Sequence, residues 1–72
     1  MASTTKPLVQ ALIERRRALD MTQREVDTAM GVSQCMIAKW ESEKRFPTTT
    51  SLIKWAAALG MKVQLVTTSK KL

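Results

Sequence analysis

The stretch from Thr22 to Glu41, TQREVDTAMGVSQCMIAKWE, decides how the rest of the chain must be arranged. Thr22 and Glu25 have the spacing of a capping box, in which the hydroxyl accepts from the Glu25 N–H and the carboxylate accepts from the Thr22 N–H. A helix is therefore predicted from about Gln23. Val26 and Met30 stand at i and i+4 and give it a narrow apolar face. Gly31 can take the left-handed conformation that ends a helix without a Cβ penalty. Ser33 reads as a second N-cap, with Val32 and Ile37 at the spacing of a hydrophobic staple. From Gln34 to Glu41, Met36, Ile37 and Trp40 fall on one side at helical spacing, and Gln34, Cys35, Ala38 and Lys39 on the other. A helix this short has little stability of its own and must be held by the one before it.

Two short helices joined at a glycine turn, with a packed inner face and a small, polar, basic outer face, make a helix-turn-helix whose second helix is shaped to enter a DNA major groove. The segment resembles the Cro/cI-type (XRE) helix-turn-helix family. The residues that carry the resemblance are Thr22-Gln23, Glu25-Val26, Gly31-Val32-Ser33, Ile37, Trp40-Glu41, Arg45 and Pro47, and it covers about residues 8 to 60. It implies a mainly α, lambda-repressor-like domain of four to five helices.

The flanking chain is consistent with that reading. Residues 1–6 are expected to be a disordered N-terminus. Pro7 suits a first helical turn, where its missing N–H costs nothing. Leu8, Val9, Leu12, Ile13 and Leu19 keep to one side of a first helix ending near Leu19. After Glu41 comes the basic loop SEKRFP, closed by Pro47. Thr48, Thr49 and Thr50 are candidate N-caps for a further helix to about Leu59, with Leu52, Ile53, Ala56, Ala57 and Leu59 inward, Trp55 on a flank and Gly60 as the stop. The helix-turn-helix domain thus spans 7–60. In the tail, Met61, Val63 and Leu65 alternate with Lys62, Gln64 and Val66 at period two. One strand cannot pair with itself, so residues 61–67 either pair with another molecule or lie as loose coil. An antiparallel dimerisation strand, paired with its counterpart in a second copy, is expected here; it is similar to the strand that follows the last helix in HipB-type antitoxins. Residues 68–72 form a basic tail.

Composition narrows the function. A chain of 72 residues with 44% hydrophobic and 25% charged residues is one ordinary globular domain, near the size where a single core is barely sufficient and a partner copy helps. No apolar run approaches the roughly 20 residues that span a bilayer, and MASTTK lacks the hydrophobic centre of a signal peptide. The net charge of +6 and pI near 10.1 favour a polyanion, nucleic acid or an anionic membrane surface. The basic residues are spread over several elements rather than along one amphipathic face, which disfavours the membrane. One cysteine and no histidine leave no disulfide within the chain, no metal site and no histidine acid/base chemistry. A bacterial or phage-encoded protein of a reducing cytoplasm, associated with the nucleoid, is expected.

Individual residues then take roles. Gln23, at the positive end of its helix, is a natural phosphate anchor or an ordinary polar helix start, and Thr22 beside it joins the phosphate contacts. Gln34 is the strongest base-edge reader, because its amide can donate to N7 and accept from N6–H of adenine together. Lys39 can reach a guanine edge or a phosphate. Cys35 falls where the family often places a reader, and either touches a thymine methyl or fills space; Met36 is expected to pack. Lys44 and Arg45 sit where the family touches phosphate, with solvated loop charge as the plain alternative. Arg15 and Arg17 read as a solvated face. The resemblance implies an ion pair between Arg16 and Glu41. Two positions depart from the family: Glu43 stands where glycine is usual, and Asp27 where a small alanine lets the helices approach. A carboxylate there is costly unless paired, so Asp27 is expected to point at the start of the second helix and accept from Ser33 or a free backbone N–H.

The function expected is a sequence-specific DNA-binding regulator, a repressor acting as a homodimer on a palindromic operator of double-stranded DNA, without cofactor or metal. The alternative is an antitoxin or phage-type interaction module that neutralises a protein partner, a toxin or phage protein, and represses its own operon. An enzyme is disfavoured, since the acidic residues show no paired spacing around a pocket.

Overall fold

The computed structural model describes residues 6–65, and within them the chain forms four helices: α1 (Lys6–Ala18), α2 (Gln23–Met30), α3 (Met36–Glu41) and α4 (Thr49–Ala58). Of the terminus read from sequence over 1–6, Lys6 instead opens α1, and residues 1–5, 66–67 of the expected strand and the basic tail over 68–72 lie outside the described residues. The α2 N-terminus carries the full capping box, with Glu25 N–H donating to Thr22 Oγ1 at 3.1 Å and Thr22 N–H donating to Glu25 Oε1 at 2.7 Å. Thr48 caps α4 by accepting from Ser51 N–H at 3.1 Å.

All four helices stop in the same way. In each, the N–H of one residue reaches the carbonyl three back, and the N–H of the next reaches the carbonyl five back: Asp20 to Arg17 and Met21 to Arg16, Gly31 to Thr28 and Val32 to Asp27, Glu43 to Trp40 and Lys44 to Lys39, Gly60 to Ala57 and Met61 to Ala56. This Schellman closure requires a left-handed residue. Gly31 and Gly60 supply it without strain, whereas Asp20 (φ 57°) and Glu43 (φ 61°) adopt it with side chains attached. Glu43, standing where the family has glycine, thus takes the glycine conformation.

The core is built from one face of each helix: Val9 and Leu12 of α1, Val26 of α2, Ile37 and Trp40 of α3, Trp55 and Ala56 of α4, with Leu59 just beyond. Trp40 and Trp55 meet with ring centroids 5.4 Å apart, tilted by 39°, a geometry that suits the ring quadrupoles. The sides the helices turn to the core differ from the sequence reading. Trp55 is not on a flank but fully buried, while Ile53 and Ala57 face outward. The inward stripe of α4 is Leu52, Trp55, Ala56 and Leu59, rotated so that the largest ring meets its counterpart in α3. Leu8 and Leu19, expected inward on α1, are exposed as well. Arg15 does more than present a solvated charge: its Nε donates to Leu59 O at 2.9 Å, placing a cation at the carbonyl end of α4 and tying α1 to it.

Within the single chain the described tail is coil. Met61 is half-buried against the core, but residues 61–65 carry no regular secondary structure, Val63 is open and Leu65 is 99% exposed. The described part of the chain thus holds four helices and no strand. A lone segment has no edge to bond to, and the physical requirement for strand geometry is a partner.

Candidate nucleic-acid interface

Asp27 governs the geometry between α2 and α3. It is 5% exposed, on the inner side of α2. Its carboxylate accepts from two backbone N–H groups across the turn, Cys35 at 3.0 Å through Oδ2 and Ile37 at 2.9 Å through Oδ1. Of the two partners expected, the backbone is the one found; Ser33 contributes only its carbonyl, which accepts from Met36 N–H at 3.1 Å. Ser33 is consequently not the N-cap of α3, and α3 begins at Met36 rather than Gln34. The N-cap position is Cys35, left-handed at φ 68° and without a side-chain cap bond. Asp27 performs the capping from the neighbouring helix, satisfying orphan donors and placing a negative charge at the positive helix end.

One consequence falls on the reader residues. Gln34 and Cys35 occupy the turn that leads into α3, both exposed, rather than its first helical turn. They line a shallow cleft of about 200 Å³ together with Gln23, Arg24, Asp27 and Ala38. Arg24 was not singled out from the sequence; the signal available was its position in the first turn of α2, beside Gln23. Lys39 is exposed in the last turn of α3. Lys44 and Arg45 are also exposed, and their backbone N–H groups both donate to Lys39 O, at 3.0 and 3.3 Å, so the loop is folded back onto the end of α3.

Behind this surface lies an ionic brace. Arg16 Nε and Nη2 donate to the two Glu41 oxygens at 2.7 and 3.0 Å, and Arg16 Nη1 donates to Met21 O at 2.8 Å. The two side chains are only 12% and 6% exposed. Gln23 Nε2 donates to Glu41 Oε1 at 2.8 Å. One N–H of the Gln23 amide is therefore committed to the brace, which orients the side chain and leaves its second N–H and its oxygen for a ligand. Thr22 is committed to the capping box through its backbone N–H and its hydroxyl oxygen. The Thr22 backbone N–H, and then its hydroxyl, hold the Glu25 carboxyl below its ordinary value of 4.5.

Among the described residues no group of three His, Cys, Asp or Glu side chains could hold a metal ion, and no helix is long and apolar enough to cross a membrane. Exposed polar and basic side chains on the Gln34 turn and α3, an α2 that packs behind them, and a basic loop at the far end define a helix-turn-helix surface of the DNA-binding kind. The chain belongs to the XRE-type helix-turn-helix family: the helix-turn-helix family model matches residues 12–66, more than half of it. It is similar to an uncharacterized HTH-type transcriptional regulator of Haemophilus influenzae, 36% identical over 59 residues that make up 82% of this chain and 60% of that protein. It is also similar to the antitoxin HigA1 of Mycobacterium tuberculosis, 35% identical over 65 residues, 90% of this chain and 44% of that protein. The chain thus spans about half the length of these curated relatives. No solved structure matches it.

Proposed function

We propose that this chain is a sequence-specific DNA-binding regulator, a repressor that acts as a homodimer on a palindromic operator in a bacterial or phage cytoplasm. The observation that carries the proposal is the Asp27-capped turn, which holds Gln34 and Cys35 outward at the mouth of α3 while Ile37 and Trp40 anchor the same helix in the core. Gln34, Cys35 and Lys39 read bases; Thr22, Gln23, Lys44 and Arg45 hold phosphates, with Arg24 joining them. Residues 7–60 are the DNA-binding unit and 61–67 the dimer contact. Met61 is seated on the core while the apolar Val63 and Leu65 are open to a second copy. In the dimer, the recognition helices enter successive major grooves roughly 34 Å apart.

Selection of bound sequences from random duplex DNA tests this reading. It is expected to return inverted half-sites at one-turn spacing. On the selected site, Gln34→Ala relaxes base choice at one position, and Lys44→Ala or Arg45→Ala weakens all sequences alike. Retention of full sequence preference by both Gln34→Ala and Lys39→Ala would contradict the assignment. Leu65→Glu, at an open position, is expected to convert the dimer to a monomer in sedimentation while the helical content seen by circular dichroism is retained.

The similarity to an antitoxin supports a second reading, in which the chain also binds and neutralises a protein partner. Co-purification with the product of an adjacent gene discriminates the two, and autoregulation allows both.

A further inference from the structure

Phe46 is 59% exposed, whereas Trp40 and Trp55, the other aromatic residues, are buried. The core closes without it, so its exposure has no folding rationale. It follows Lys44 and Arg45 and precedes Pro47. The loop is pinned to the end of α3 by the paired donations to Lys39 O, and proline biases the residue before it towards extended backbone. Phe46 is therefore carried on a positioned segment adjoining the proposed DNA surface.

An apolar ring that directly follows two cations matches the chemistry of a nucleic-acid backbone, in which charged phosphates alternate with the apolar faces of deoxyribose. Charge complementarity argues against a second copy as the occupant, because it would bring the same Lys44 and Arg45 against their own kind. We propose that Phe46 is a further DNA-contacting residue, its ring packing on the deoxyribose of the strand whose phosphates Lys44 and Arg45 engage. This rests on the DNA-binding reading above. Such a contact adds affinity without base preference and, unlike a phosphate contact, releases no counterion.

Equilibrium binding of the wild-type protein, Phe46→Ala, Phe46→Tyr and Lys44→Ala to the selected duplex and to an unrelated duplex, across a salt series, tests it. Burying about half of an aromatic ring predicts that Phe46→Ala weakens binding about fivefold on both duplexes, with the slope of log affinity against log salt unchanged. Phe46→Tyr keeps the ring and is expected to keep the affinity. Lys44→Ala is expected to reduce the slope by about one. Unchanged affinity in Phe46→Ala, or a slope that falls with it, overturns the proposal. So does dissociation of the dimer by Phe46→Ala in sedimentation, which assigns the ring to a subunit contact. Failure of the wild-type protein to bind any duplex overturns the DNA-binding reading itself, a result distinct from binding that ignores Phe46.

Discussion

Asp27 and Glu43 are the residues at which this chain differs most informatively from its family's pattern, and they differ in opposite senses. Asp27 replaces the usual small residue and organises two backbone donors at the start of α3. Removing it leaves those donors without a charged acceptor, at about 1–3 kcal/mol for a buried group left unsatisfied. Asp27→Ala is expected to lower the thermal midpoint by about 10 °C, on the scale of about 4–8 °C per kcal/mol for a domain of this size. Asp27→Asn, which retains one acceptor oxygen, is expected to lose less. A midpoint in Asp27→Ala equal to or above wild type, followed by circular dichroism, would sink the capping role. Glu43 is the contrary case. It holds a left-handed conformation that costs a non-glycine residue about 1–2 kcal/mol, and its Oε1 is buried without a hydrogen-bond partner. Glu43→Gly relieves both and is expected to raise the midpoint by several degrees. It also removes an anion next to Lys44 and Arg45, so DNA affinity is expected to rise with it.

At the scale of elements, α2 is the helix whose ends are best determined, and its start is sensitive to pH. The folded Glu25 carboxyl titrates below its ordinary value because the Thr22 N–H bonds to the ionised form. A depressed folded value means that the capping contribution is complete above the ordinary glutamate range near 4.5, and declines as acidification passes down through the lower folded value. Glu25→Gln is expected to flatten that part of the stability profile while leaving the neutral-pH fold intact. Parallel urea titrations between neutral and acidic pH check this: a profile as steep as wild type would show that another group is responsible. The short α3 has no comparable device of its own. It depends on Asp27 at its start and on the burial of Ile37 and Trp40.

For the molecule as a whole, the brace of Arg16, Glu41 and Gln23 links α1, α3 and α2 at their ends. Desolvation offsets much of the attraction in such a pair, so its value lies in fixing the angle between helices. Breaking it on one side is a different matter, because a buried charge is left alone. Glu41→Ala is expected to cost about 3–5 kcal/mol. The double replacement Arg16→Met with Glu41→Leu is expected to recover most of that loss. Emission from the buried Trp40 and Trp55 reports both unfolding curves directly. If Glu41→Ala melted with wild type, the pair would have no structural role. Recovery of stability without recovery of sequence-specific binding in the double variant would show that the brace sets the docking angle.

What could be read from the chain was whatever its local chemistry decides. The capping box at Thr22 and Glu25, the stop at Gly31, a threonine cap among Thr48, Thr49 and Thr50, and the stop at Gly60 involve groups a few residues apart, and the structure has each of them, with Thr48 as the cap. The family pattern located the helix-turn-helix for the same reason, since its motif lies within a single short stretch. The start of α3 was decided by tertiary structure. Ser33 is a sound local cap, but a carboxylate from a packed neighbouring helix offers two stronger, charge-assisted bonds and moves the cap to Cys35. The rotation of α4 was likewise settled by Trp40, a partner distant in sequence that draws Trp55 inward. Nearest neighbours along the backbone set where α2 and α4 begin and end, whereas the surfaces brought together by folding set where α3 begins and which way α4 faces.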